Sequence, residues 1–544
     1  MSIGRIAAYV NERWTLIGGL PSNFVVAVLL IFFSGWAVLD IYSIQVTTGL
    51  AKSSYDAMVR ARIFTAAPDS RIVIIDIDEA SLADMGKEFG RWPWPRDTLA
   101  TVLGYIEKQQ PAAVVWDIAF SDVDRFNPGG DKAFDQAVAR SSHSHFSVVR
   151  LPPYNDVQSQ LGPKDLASLW LRRTASAEAS TVTLAVIPPV LPSVANSRLG
   201  YNNGYPDSDG VLRRYRYVDM VSADWAIKSI ALSVAGEVSP TAYRQLISLY
   251  EKREDSLVAW RAKANSYPRI SFSTVFSVAD GAKPSSSVPT FHGKIVLIGS
   301  TAPSLHDIHP SPLSATQAGV DSLATVIDNA INMRIVRELP QWSHAILAIL
   351  IFCGVATCVV YRGIASLEPL LFVLPGSLLA LSYMSLNGTP VFLDLYLPSA
   401  LGLAFLAALR LWNSMRRGYW LGWFGEDGQA VDSKPMGLLS VRGNGPWFGI
   451  ARDKLMDGLA QSMPDCRLII SDANARWPAG LNWPELAVYA SLVGPREQLD
   501  NGIGRFTSHL GDDVAGVGSI VEMPTGCTRS MAASIALKDW IRIG

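Results

Sequence analysis

The stretch Arg71-Ile-Val-Ile-Ile-Asp-Ile-Asp-Glu-Ala80, followed by Gly90-Arg-Trp-Pro-Trp-Pro-Arg96 and then by Ala112-Ala-Val-Val-Trp-Asp-Ile-Ala-Phe120, decides the fold. Two apolar runs, Ile72–Ile75 and Val114–Trp116, are continuous and rich in β-branched residues. Both end in carboxylates: Asp76 and Asp78 after the first, Asp117 after the second. A strand apolar on both faces is buried on both faces, which a parallel or mixed sheet covered by helices provides. A covering helix lies between the runs. Within Arg96–Gln109, Leu99, Val102, Leu103 and Ile106 fall at i, i+3, i+4 and i+7 and form one stripe. Residues 71–120 therefore read as a strand–helix–strand unit with acids at the carboxyl ends of both strands, where open α/β sheets place their ligands. Trp92 and Trp94, held by Pro93 and Pro95 between Arg91 and Arg96, belong to the loop over that edge.

The same reading extends along the chain. Gly130–Arg140, with Phe134, Ala137 and Val138 on one face, is expected to be helical. His143–Val149 and Thr181–Val186 are expected strands. Ala223–Gly236 aligns Ile227, Ile230, Ala231 and Val234 as another amphipathic helix. Lys294–Ser300 is the last buried strand, and Gly319–Asn332 the helix after it. Tyr205-Pro-Asp-Ser-Asp-Gly210 is a turn by composition, with Gly210 free to take a positive φ.

Six motifs, in this order, carry a resemblance. They are Ile75-Asp-Ile-Asp78, Arg91-Trp-Pro-Trp-Pro-Arg96, Val115-Trp-Asp-Ile-Ala-Phe120, Asp207-Ser-Asp-Gly-Val-Leu-Arg-Arg214, Lys294-Ile-Val-Leu-Ile-Gly299 and Ala318-Gly-Val-Asp321. Together they resemble the second class of CHASE domains, the extracellular sensory modules of bacterial cyclases and histidine kinases, over about residues 45–340. The resemblance implies an extracytoplasmic α/β sensor. One position departs: where that family usually has a histidine after the late Gly-Val pair, this chain has Leu323, so no role is carried over for it.

Composition bounds the rest. With 47 basic and 48 acidic residues, no basic surface argues for nucleic acid. An apolar content of 49% beside only 17% charged residues is high for a soluble protein, and local runs explain it. Phe24–Leu39 is long and apolar enough for a membrane helix; a cleaved leader ending near Gly35 and Ala37 is the competing reading. Ser343–Tyr361, Pro369–Leu386 and Tyr396–Leu411 follow, separated by Arg362-Gly-Ile-Ala and Asn387-Gly-Thr-Pro390. Such short loops require antiparallel neighbours. Arg5, Arg13, Arg362, Arg416 and Arg417 all fall on one side if both termini are cytoplasmic. The four cysteines (353, 358, 466 and 527) leave the large middle region without a disulfide, which suits a periplasm and excludes little.

Residues 413–544 are expected to be a small cytoplasmic α/β domain, with strands at Arg467–Ile470 and near Val517–Val521, a helix at Glu485–Leu492 and a terminal helix from Thr528. With His509 alone and about 35 residues after it in this sequence, a histidine kinase is not expected. Gly511-Asp-Asp-Val-Ala-Gly-Val-Gly518 and Ala532–Leu537 resemble the second metal-aspartate strand and following helix of class III nucleotide cyclases. The first metal-aspartate motif has no counterpart, and two carboxylate sites are needed to hold the cations. No Walker-type or Gly-x-Gly-x-x-Gly loop occurs, so no cofactor is expected. His306 and His309 around Asp307 lie among Pro303, Pro310 and Pro312, which rules out a helical ligand pair, and no metal is expected there. Gly526–Ser530 reads as an ordinary helix start capped by Thr528.

The expected layout is a cytoplasmic N-terminus (1–22), a membrane helix (23–42), an α/β sensor of mixed sheet and covering helices (43–341), three more membrane helices (343–361, 367–386 and 390–412) and an output domain (413–544). That describes a multi-pass receptor of a bacterial inner membrane, with a periplasmic sensor, no catalytic residue, and a non-enzymatic output. Asp76, Asp78, Trp92, Trp94, Arg96 and Asp117 are the candidate ligand-binding residues; internal ion pairs and loop packing are the competing use of the same groups. Arg96 is expected to tether the tryptophan loop through Asp78 or Asp117. The expected partners are the lipid bilayer, an outer small-molecule or protein ligand and a cytoplasmic protein, with a homo-oligomer left open. A structural subunit of an envelope assembly and a degenerate or active class III cyclase are the rival readings.

Overall fold

The computed structural model describes residues 22–173, 182–250, 255–261, 263–283, 288–362, 369–422, 435–443, 467–471, 487–493, 496–508 and 514–522. Its longer described helices are α1 (Ser22–Leu39), α2 (Val46–Arg60), α3 (Glu79–Phe89), α4 (Arg96–Glu107), α5 (Pro128–Arg140), α6 (Ile230–Val238), α7 (Pro240–Tyr250), α8 (Phe272–Ala279), α9 (Gly319–Ile331), α10 (Gln341–Arg362), α11 (Leu370–Gly388), α12 (Tyr396–Gly422) and α13 (Arg496–Ser508). The chain divides into two compact units. One comprises Gly49–Leu339 with Leu381–Asp394; the other comprises Met1–Thr48, Pro340–Ala380 and Leu395–Gly544.

The first unit is built on a sheet of β1 (Ile72–Ile77), β2 (Ala113–Trp116), β3 (Ser144–Arg150), β4 (Arg198–Tyr201), β5 (Arg269–Ser271) and β6 (Ile295–Ser300). Its order is β5-β1-β6-β2-β3-β4 and every pair is parallel. The short strand Val186–Ile187 adds antiparallel to the end of β3. All six residues of β1 are buried, and alternation sends them to opposite faces. Ile72 and Ile74, with Val115 and Leu297, meet α6 and α9. Val73, Ile75 and Ile77, with Trp116 and Ile298, meet α3, α4, α5 and α8. The continuous apolar runs are therefore the signature of a sheet covered on both faces, as their sequence requires.

Two expectations fail here for a common reason. Trp225–Lys228 is a strand, paired antiparallel with Val218–Met220 and Trp170–Arg172, and only from Ile230 does the chain turn helical. Ser229 marks the switch: its side chain accepts a 3.2 Å bond from the Leu232 N–H as the N-cap. A short apolar run before a helix has no periodicity of its own, so the helical stripe absorbed it. Of the expected strand Thr181–Val186, whose first residue lies outside the described residues, only Val186 belongs to a strand, Val186–Ile187. The helix α3 was not anticipated; Asp78, read as a binding residue, is its N-cap.

In the second unit α1, α10 and α12 share a core in which Phe33, Phe352 and Phe405 meet edge-on or tilted at 5.3–6.1 Å. Among the described residues, three helical stretches are long and apolar enough to cross a membrane: Phe24–Ile44, Gln341–Val359 and Leu370–Gly388; Tyr396–Trp412 is a shorter apolar one. Beyond α1 a π-turn at Asp40–Ile44 ends at Gln45, whose φ is +54°. Buried Asp40 caps the new helix, accepting from Val46 N at 3.0 Å and from the backbone and hydroxyl of Thr47.

The same unit holds a four-stranded antiparallel sheet in the order Arg467–Ser471, Ala487–Val493, Pro435–Gly443, Val514–Glu522. Of the helix expected at Glu485–Leu492, the described residues, from Ala487 on, are thus a strand. Pairing on both sides decides that short run, where local pattern is ambiguous. His509, Asp512, Asp513 and Gly526–Ser530 lie outside the described residues.

Gly200 of β4 is where the two layers touch most closely: a Cβ there would lie 2.6 Å from the carbonyl carbon of Ser229, at the start of α6. Backbone cannot yield as a side-chain tip can. Gly200→Ala should therefore lower unfolding stability by about 3 kcal/mol, the upper range for overpacking, read as a reduced thermal midpoint of the purified chain.

Candidate functional site

The carboxyl ends of β1, β6 and β2 gather the acids that the sequence singles out, and most of them turn inward. Asp76, 2% exposed, accepts from the Thr301 N–H at 3.0 Å and from the Thr301 hydroxyl at 2.7–2.8 Å. Its other neighbour is Arg269, whose Nη1 lies 3.4 Å away while Nη2 holds Asp321 at 2.8 Å. Burial pushes the Asp76 carboxyl up against the pull of Thr301 and Arg269. Asp78 caps α3 through a 2.7 Å bond from the Ser81 N–H and accepts from the Ser271 hydroxyl. Burial alone would raise its pKa; these bonds bring it below the usual carboxylate range.

The tryptophan loop is packing. Trp94 is 2% exposed and lies against Phe272 at 5.3 Å, while half-buried Trp92 meets it edge-on at 4.9 Å. Arg96 opens α4 and points away from the acids expected to receive it. It pairs with Asp131 of α5, donates to the Asp122 carbonyl and stands 5.6 Å over the Phe120 ring. The pairing with Asp78 or Asp117 does not form, because Asp131 at the start of α5 reaches the guanidinium from the neighbouring helix.

Asp117, just past the end of β2, is the remaining acid of this group. It keeps some solvent contact, yet protein surrounds most of it, and its carboxylate accepts a hydrogen bond from Asn202 Nδ2 at 2.7 Å. Burial, reinforced by the negative charge of Asp307, pushes its pKa up to about 7. His309 stands 3.5 Å from Asp307, which raises the imidazole above its usual range. Among the described residues no group of three or more His, Cys, Asp or Glu is arranged to hold a metal. A groove of about 360 Å³ lies elsewhere, between α4 and α5, over a floor of Ala100, Leu103, Gly104 and Ala137.

A second constellation escaped the sequence reading. In Asp207-Ser-Asp-Gly-Val-Leu-Arg-Arg214 the turn closes at Gly210, φ +81°, and folds the acids back onto the arginines. Arg213, 2% exposed, grips Asp56 of α2 through two bonds of 2.7–2.8 Å and also holds Asp207 and Asp209. Arg214 holds Glu338 through two bonds of 2.6–2.8 Å, and Asp207 bridges both guanidinium groups. One arginine thus grips the helix that enters the domain and the next grips the segment three residues before α10. The signal was present, since paired arginines beside acids call for buried partners, but Asp56 and Glu338 lie 157 and 124 residues away from them.

Two outcomes follow. Arg96→Ala should cost about 3 kcal/mol of stability, the lower range for breaking a buried ion pair, measured by denaturant unfolding. For Asp117 the folded carboxyl keeps its proton up to about pH 7, whereas an unfolded one loses it near the ordinary value of 3.8. The folded state binds more protons in that window, so this group's stabilisation is full in acid and is lost as pH rises toward 7. Asp117→Asn should flatten the fall of the thermal midpoint between those limits, read as the difference between wild type and variant.

The departure at Leu323 is structural: it is 2% exposed on the face of α9 that meets the sheet. Comparison with known proteins gives one family. Its description is CHASE2 domain, and it matches residues 24–359. No curated protein and no solved structure matches the chain. The matched span runs from α1 through the parallel sheet, the Asp207–Arg214 turn and most of α10, more than half of the chain. This chain belongs to the CHASE2 domain family, whose members carry an extracellular sensory domain typical of signalling receptors.

Proposed function

We propose that this chain is an inner-membrane sensory receptor whose outer domain, residues 43–341, detects a signal in the periplasm. Four membrane helices carry the response to a small cytoplasmic domain that acts by binding, without catalysis. The arginine pair carries this reading. Asp56–Arg213–Asp207–Arg214–Glu338 is one charge network joining the incoming helix to the outgoing segment, so a change in the domain's shape moves both connections together. The tip between α11 and α12 supports it too. Leu386 and Phe392 are 2% and 3% exposed in the domain's own core, and Val391–Phe392 pairs with Arg337–Glu338. This packing supports the reading in which the tip lies on the domain's side of the membrane and Arg362, Arg416 and Arg417 on the other. The outer ligand is a small polar molecule or a protein that meets Asp117 and its neighbours at the strand ends.

The rival of a different class is a structural envelope subunit. It is favoured by exposed apolar side chains on the outer domain: Phe126 is fully exposed, Val157 87% and Tyr154 75%. A nucleotide cyclase would require metal-dependent turnover, which the receptor reading expects to be absent in wild type and in Asp512→Ala alike.

Topology is tested by single cysteines in a chain freed of its own. Ser208→Cys should react with an impermeant thiol reagent in cells whose outer membrane is permeabilised, and Ser433→Cys should not; the reverse pattern sinks the receptor. Transmission is tested by hydrogen exchange of the full chain in nanodiscs. Arg214→Ala should loosen α2, the segment before α10 and sites beyond residue 413. Loosening confined to residues 205–220 would leave a scaffold.

A further inference from the structure

The linker between α2 and β1 carries two consecutive large apolar side chains that the protein leaves uncovered. Ile63 and Phe64 are each 71% exposed. Their main chain is nonetheless fixed. Asn387 Oδ1 accepts the N–H of Ile63 at 3.1 Å and that of Phe64 at 3.2 Å, and Asn387 Nδ2 donates to the Tyr383 carbonyl at 2.9 Å. The Tyr383 hydroxyl donates to the carbonyl of Ala61. Residues 61–64 are therefore strapped along the last turns of α11, whose segment Leu381–Gly388 is part of the same compact unit.

That attachment sets a depth. α11 is one of the stretches long and apolar enough to cross a membrane. Tyr383 lies five residues before Gly388, about 7 Å along the axis at 1.5 Å per residue. On the same turns Leu381 and Met384 are 46% and 59% exposed, an apolar surface continuous with the helix. A peptide segment bonded at that level stands where hydrocarbon gives way to headgroups.

The polar groups agree with such a place. Backbone donors withdrawn from water need a partner, and an unmet one is expensive in an apolar medium. One asparagine side chain satisfies the two N–H groups that flank the exposed side chains. In open water those donors would need no such provision.

We propose that Ile63 and Phe64 form a membrane-interface anchor of the outer domain, with both side chains inserted at the headgroup–acyl boundary of the bilayer that α11 spans. This rests on the membrane reading of α11 given above. Apolar side chains at an interface gain by leaving water, and two adjacent ones suit a shallow wedge. The bilayer then becomes part of the linker's packing and sets the level at which α2 hands over to the sheet.

The experiment uses the full chain in vesicles of phosphatidylcholine and phosphatidylglycerol, its four cysteines replaced by serine. Spin labels are placed singly through Phe64→Cys, Ile63→Cys, Phe126→Cys and Phe372→Cys. Power saturation compares relaxation by oxygen, which enters lipid, with that by a nickel chelate, which stays in water. The labels at 63 and 64 should show an oxygen-to-nickel ratio several-fold above that at 126. A ratio no greater than at 126, with 372 in lipid, overturns the anchor and spares the membrane reading. Protection from both agents at 63 and 64 means that protein, a second copy included, covers them, and also overturns it. Nickel access at 372 overturns the membrane reading itself.

Discussion

The buried guanidinium of Arg213 is the constraint from which the outer domain's attachment follows. A charge removed from water must be met by opposite charge and by hydrogen bonds, or it is not tolerated. Here Asp56, Asp207 and Asp209 meet it together, and the summed pull holds Arg213 firmly protonated. Because Asp56 sits on α2, the helix that arrives from Asp40 cannot drift without stranding a buried charge. Because Asp207 also binds Arg214, and Arg214 binds Glu338, the exit segment is subject to the same condition. Entry and exit are electrostatically one element.

The strand ends show a different economy of charge. Asp76, Asp78 and Asp321 are arranged around Thr301, Ser81, Ser271 and Arg269 so that nearly every oxygen has a partner. The Asp321 Oδ2 atom is the exception, buried with none. Such an edge is rigid. Asp117 is softer, since Asn202 is neutral and Asp307 repels it, and its proton is held only up to about pH 7.

The tip between α11 and α12 closes the argument about attachment. Phe392 meets the Tyr55 ring at 5.2 Å, and Tyr55 lies one residue from Asp56. The tip, the entry helix and the exit segment therefore converge on one corner of the domain, where Arg337–Glu338 pairs with Val391–Phe392. A change at that corner reaches three chain connections, and not only the two that a simple flanked domain would offer.

Much of this was legible in the sequence. Runs such as Ile72–Ile75, apolar without alternation, are buried on both faces, so a parallel or mixed sheet covered by helices followed from their pattern. The stripe Leu99–Ile106 and the long apolar helices were legible for the same reason: local period and length report local burial. What the tertiary structure decided was every choice between partners distant in sequence. Arg96 was expected to meet Asp78 or Asp117, and Asp131 received it because α5 packs beside α4. Trp225–Lys228 became a strand because Val218–Met220 and Trp170–Arg172 flank it. Arg213 was assigned no partner from the sequence, and Asp56, 157 residues earlier, is what meets it in the fold. Sequence period records which face is apolar; which charge meets which is set only when the layers close.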